Sequence, residues 1–110
     1  PISYFSSLKY ANERPQGRKL NSSGQKNADE EQTLIINHPD IKRLLFSQKA
    51  IVEGSMSLIF QTSNYFDKEI TSTSEEEKEK YNLLLELLTP IAKTYPAEKG
   101  IEYTSNAIQI

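Results

Sequence analysis

The stretch "IKRLLFSQKAIVEGSMSLIFQTSNYFD" returns to apolar residues at seven-residue intervals, and no other feature of the chain limits its fold as severely. Leu45, Val52, Ile59 and Phe66 form one column, with Leu44, Ile51, Leu58 and Tyr65 beside it. A third column, Ile41, Gln48, Ser55 and Thr62, begins apolar and turns small and polar. A strand alternates with period two, so this spacing specifies a helix, and one of roughly seven turns at 3.6 residues each. A stripe that long needs other helices packed on it, as in an antiparallel bundle. Phe46 and Phe60 fall off the stripe, which implies a second covered surface. The start is marked by "NHPD": Asn37 or His38 can cap, Pro39 suits the first turn, and Asp40 favours the positive end of the helix dipole. His38 next to Asp40 therefore reads as a helix start rather than an acid–base pair.

The remaining segments fit around this helix. Residues 2–14 carry Tyr4, Leu8 and Ala11 on one stripe with Phe5 beside it, and Pro15 ends the helix because a residue before proline avoids the α region. Residues 16–33 are almost wholly polar and read as a loop or disordered linker. Leu34, Ile35 and Ile36 then form a short extended apolar run. After a long helix over 38–70, "ITSTSEEEKEKY" breaks the pattern. Ser74 with Glu77 is a capping box, and the acidic run is a solvated first turn. Residues 75–110 present Tyr81, Leu84, Leu85, Leu88, Ile91 and Tyr95, and an apolar face resumes at Ile101 and Ile108. Pro90 and Pro96 predict a kinked helix or a pair of shorter ones, since a proline in a helix interior costs roughly 3 kcal/mol. The expected fold is all-α: an up-down bundle of three long helices, read as one domain over 1–110.

Composition removes several kinds of chemistry. The chain of 110 residues has a net charge of −2 and scatters its basic residues, with adjacent pairs only at Arg18-Lys19 and Lys42-Arg43. That argues against a nucleic-acid binder, which needs a concentrated basic face. Cysteine is absent, so disulfides and thiolate sites are excluded, and a cytoplasmic protein is expected. The single histidine leaves no multi-histidine metal site and little material for a nucleophilic triad, so neither metal ligands nor catalytic residues are expected in this chain. No apolar run approaches the length of a membrane span. Arg14 stands apart: at the end of its helix it can complement the dipole, and it is also a planar fork of donors able to hold a pyrophosphate.

Three stretches resemble the C-terminal helical domain of the acyl-CoA dehydrogenases. "LKYANERPQGRK" is similar to the family's helix end of the form Ala-x-x-Arg-x-x-Phe-Gly-(Lys/Arg), whose arginine contacts FAD bound mainly by a partner subunit. "IINHPDIKRLLFSQKAIVEGSMSLIFQTSNYFD" resembles the next helix, with an opening typical of the branch that includes methylmercaptopropionyl-CoA dehydrogenase. "LLTPIAKTYPAEKGIEYTSNAIQI" resembles that branch's following helix, which normally continues into a His-Gly-Gly stretch. The phenylalanine of the first motif is missing, because Gln16 is followed directly by Gly17. Pro39 stands where many relatives carry a flavin-contacting glutamine, and Pro96 falls in a helix that relatives keep continuous.

What the resemblance implies is an incomplete four-helix C-terminal domain of an FAD-dependent oxidoreductase. Arg14 would hold the FAD pyrophosphate with help from Gln16, and Gln109 would open a second FAD-binding stretch across a subunit interface. The whole enzyme would carry out α,β-dehydrogenation of an acyl-CoA thioester, pass electrons to an electron-transfer flavoprotein and form a homo-oligomer. The family's usual catalytic glutamate would fall beyond Ile110, and an alternative position on the first helix maps near Phe5 or Ser6, neither of which takes a proton. The chain is therefore expected to be a piece of a larger flavoenzyme, inactive by itself and unable to hold FAD tightly. The competing expectation is a standalone helical interaction module whose apolar stripe docks a partner.

Overall fold

The computed structural model describes all residues from Pro1 to Ile110. It is all-α, with α1 at Ile2–Glu13, a 3-10 turn at Ile35–Asn37, α2 at Pro39–Thr71 and α3 at Glu75–Gln109. Two isolated bridges, Pro15 with Leu34 and Leu20 with Lys26, are the only β-type pairings. Two compact units are distinguished: Pro1–Lys49 together with Tyr103–Ile110, and Ala50–Glu102.

The first unit holds the better-developed core. Ala11, Ile35 and Leu45 are buried together, with Tyr4, Leu8, Ile36, Ile41 and Ile110 packed on them. α1 has no side-chain cap at Pro1. Its orphan Tyr4 amide is satisfied from far along the chain instead, donating to the buried Tyr103 hydroxyl at 2.6 Å. Tyr103→Phe removes that acceptor while keeping the ring, so it should cost about 1 kcal/mol by urea unfolding. An unchanged midpoint would show that the Tyr4 amide has no need of it.

The polar stretch after α1 is ordered by its own side chains. Asn21 Oδ1 accepts from the amides of Ser23 and Gln25 at 3.0 and 2.9 Å. Gly24 takes the left-handed conformation (φ 74°) in the same turn. This local bonding is what asparagine and glycine provide in turns and what competes with helix formation.

The second unit is a helical hairpin. Tyr65 stacks on Tyr81 at 5.9 Å, Lys68 sits over the Tyr81 ring at 5.6 Å, and the Asn82 amide donates to Glu69 at 3.0 Å. α3 is acidic through its first turn, and the Glu77 amide reaches Ser74 Oγ at 3.5 Å, the outer limit of a hydrogen bond. α3 runs unbroken through Pro90 and Pro96. Each proline strands the carbonyl four residues earlier, on Glu86 and Ala92. Neither residue is buried, so solvent can take the lost bond. The inner face of α3 passes through Leu88, Ala92, Pro96 and Gly100, all half-buried, whereas Ile91 and Tyr95 lie on the exposed side.

Candidate functional site

Residues 14–17 are held on both sides by backbone. Arg14 leaves the helix at φ −88° and ψ 113°, as a residue before proline must, while its amide still donates to Tyr10. From there the chain runs antiparallel to residues 33–35. Ile35 donates to the Arg14 carbonyl at 2.9 Å, Gln16 donates to Thr33 at 2.9 Å, and Thr33 donates to Gly17 at 2.8 Å. Because Ile35 is in the core cluster, the last of α1 and the turn beyond it are tied to the most buried part of the unit. Arg14 itself is exposed, with a fixed main chain under a free guanidinium.

Gly17 closes the turn. Its φ of 74° lies in the left-handed region, and a Cβ added there would stand 3.3 Å from two atoms of the His38 ring. That ring belongs to the site's structure: Nε2 donates to the Gln16 carbonyl. A carbonyl only accepts, so Nε2 carries the hydrogen. His38 thus begins α2 through its own carbonyl, which accepts from Lys42 at 3.1 Å, while its side chain staples the preceding turn. Gly17→Ala adds both a left-handed penalty and crowding on His38, and should cost about 1–2 kcal/mol. Denaturant titration measures this directly, and a neutral substitution would mean that the turn is free to rearrange.

Beyond the glycine opens a concavity of about 520 Å³ lined by Gly17, Arg18, Lys19, Lys26, His38 and Pro39 among others. Arg18 is committed to the chain, its Nε donating to the Glu30 carbonyl. The pocket gathers three cations at the start of a long helix, and oxyanions are the chemical class that suits such a lining. The sequence marks Arg18-Lys19 as an adjacent basic pair, but not that the turns of the linker bring Lys26 to them.

Gln109 is the last residue of α3 and is exposed. Its neighbour Ile110 packs on the cluster formed by Ala11, Ile35 and Leu45. No group of three His, Asp or Glu side chains is placed to hold a metal ion, and no helix is long and apolar enough to cross a membrane.

The chain is 31% identical over 107 residues to a 3-methylmercaptopropionyl-CoA dehydrogenase of Ruegeria pomeroyi, a match covering 97% of this chain and 17% of the relative. A butyryl-CoA dehydrogenase of Syntrophomonas wolfei is 28% identical over the same shares of the two chains. The broad-specificity linear acyl-CoA dehydrogenase FadE5 of Mycobacterium tuberculosis is 28% identical, covering 96% of this chain and 17% of its own. No family model matches the chain, and no solved structure does. The chain is thus acyl-CoA dehydrogenase-like over nearly its whole length, and it spans about a sixth of the length of the relatives that it matches.

Proposed function

We propose that this chain is a helical segment of an FAD-dependent acyl-CoA dehydrogenase, in which it makes subunit contacts and supplies part of an FAD site. The observation that carries this reading is the built turn at residues 14–17, lying inside a similarity that covers 97% of the chain. The donor set fits the diphosphate of FAD. Arg14 offers a planar fork to two phosphate oxygens, and the backbone beneath it is already fixed by bonds from Ile35 and Thr33. The cationic concavity after Gly17 favours the same charge. Gln16 and Gln109 are the uncharged donors of the proposal, at the end of α1 and the end of α3.

Held by Arg14 with Gln16 and Gln109, FAD would supply the hydride acceptor for α,β-dehydrogenation of an acyl-CoA thioester, the α proton going to a carboxylate. This chain's share is binding and orientation; none of its residues is assigned to proton transfer. In the whole enzyme the electrons would pass to an electron-transfer flavoprotein.

The test is made in the full reading frame that contains these codons, by measuring flavin absorbance per protein after dialysis. Arg14→Ala removes charge-assisted hydrogen bonds and should weaken FAD retention tenfold or more. Arg14→Lys keeps the charge but loses the fork, and should fall between the two. Full flavin occupancy in Arg14→Ala would overturn the assignment of Arg14. The 110-residue chain alone should purify without flavin, and a yellow preparation would show that its residues hold the cofactor unaided.

A further inference from the structure

Where residues 14–17 pair with residues 33–35, the two stretches fall out of step at one place. Gln16 donates to the Thr33 carbonyl at 2.9 Å, but Thr33 donates onward to Gly17, at 2.8 Å, and not back to Gln16. Two residues of the turn thus oppose one residue of the returning chain, which is the arrangement of a β-bulge. Gly17 supplies the left-handed backbone, φ 74°, that lets the chain make this step. A bulge re-aims the side chain it carries and drops the extra residue out of the ladder. Here the carbonyl left over belongs to Gln16.

The one donor that the chain brings to this carbonyl is Nε2 of the His38 ring. The ring stands on a fixed base. Pro39 keeps His38 extended, at φ −78° and ψ 134°, as a residue before proline must be. The His38 amide donates to the carbonyl of the buried Ile35 at 3.0 Å, and its carbonyl accepts from Lys42 in the first turn of α2 at 3.1 Å. A Cβ on Gly17 would stand 3.3 Å from the ring, so the glycine also gives the histidine its room. The bulge is therefore pinned by a side chain rooted in the core and in α2. Without the pin, Ile35 and Thr33 would still hold Arg14 and Gly17, but on either side of a peptide unit free to rotate, and the Gln16 side chain would swing with it.

We infer that His38 is a positioning residue for FAD at this turn: its hydrogen bond to the Gln16 carbonyl holds the bulge and so aims Gln16 at the same diphosphate as Arg14. The inference rests on the reading that Arg14 and Gln16 hold FAD. It gives His38 no contact with the flavin, only with the backbone that presents Gln16.

The test is titration of the deflavinated full-length protein with FAD, followed by flavin fluorescence, with helix ellipticity to verify the fold of each variant. Gln16→Ala removes the side chain being aimed and should weaken FAD binding about fivefold. His38→Phe keeps a ring beside Gly17 but loses the donor, and should weaken it by about the same factor. His38→Gln returns an amide N–H near the place of Nε2 and should bring affinity back to within about twofold of wild type. The double variant, Gln16→Ala with His38→Phe, should bind about as well as either single one, because both changes act on one group. A general structural role would instead multiply the two losses. Should Gln16→Ala and Arg14→Ala both bind FAD as the wild type does, the turn is no flavin site and this inference falls with that reading. If they weaken binding while His38→Phe does not, or if the losses multiply, or if His38→Gln fails to rescue, the role of His38 alone is overturned.

Discussion

Leu45→Ala is expected to cost the chain about 2–5 kcal/mol, the loss typical of a leucine removed from a packed core. Leu45 is 7% exposed and lies with Ala11 and Ile35 at the centre of the first unit, so its truncation leaves a cavity touching α1, the 3-10 turn and α2 together. For a chain of this size that loss lowers the thermal midpoint by about 10 °C or more. Its neighbour provides the control. Phe46 has a larger side chain but is 71% exposed, so Phe46→Ala should change stability by under about 0.5 kcal/mol. Urea unfolding followed by helix ellipticity separates the two. Equal losses would mean that the face of α2 turned to the core has been misassigned.

That pair of residues shows how far the sequence could be read. The apolar columns on α2 correctly demand a long helix with one covered side, because a seven-residue repeat has no other common solution. Extending one column along the helix is where the reading weakens. Leu45 is buried, Val52 is half-buried, and Ile59 and Phe66 are 45% and 55% exposed. Seven residues fall about 20° short of two full turns of a straight α-helix, so a column that starts inside rotates outward over three heptads. Only a supercoil would keep it in place. The other face of the hairpin misleads for the same reason: Ile91 and Tyr95 belong to the apolar residues of α3, yet the covered line runs through the smaller Ala92, Pro96 and Gly100.

The site was legible in part and for different reasons. Pro15 announces the end of α1, because its effect is local steric exclusion on Arg14. Gly17 is recognisable as a turn residue, but its second constraint is a contact with His38, distant in sequence. Nothing in the spacing of "NHPD" indicates that the histidine ring would turn back to the Gln16 carbonyl instead of capping its own helix. Phe46 and Phe60 do not have the second covering expected from their place off the stripe: both are exposed in the structure. The pairing of residues 14–17 with 33–35 closes a long loop through backbone bonds, and backbone bonds carry no side-chain signature.

Gln48→Met is expected to stabilise the chain by about 1–3 kcal/mol, the opposite of what most core substitutions do. Gln48 is completely buried, and neither its amide nitrogen nor its amide oxygen has a partner within the chain. Two desolvated dipoles without hydrogen bonds each cost free energy that methionine, unbranched and of similar length, would not incur. Gln48→Ala distinguishes polarity from volume, since it also removes the dipoles but opens a cavity, and it should recover little or none of the gain. Should Gln48→Met instead lose more than about 1 kcal/mol, the amide must be bonded to a buried water that links it to the backbone. A stabilising result would carry a different meaning. In the column that begins at Ile41, Gln48 opens a polar line that continues through Ser55 and Thr62, so that line was kept on the covered face of α2 at a cost in stability. A buried polar group among apolar neighbours restricts which packing arrangements are tolerated, because every alternative leaves it equally or more exposed to unmet bonding. On that argument the stripe of α2 is built to hold one register against its neighbours rather than to maximise stability.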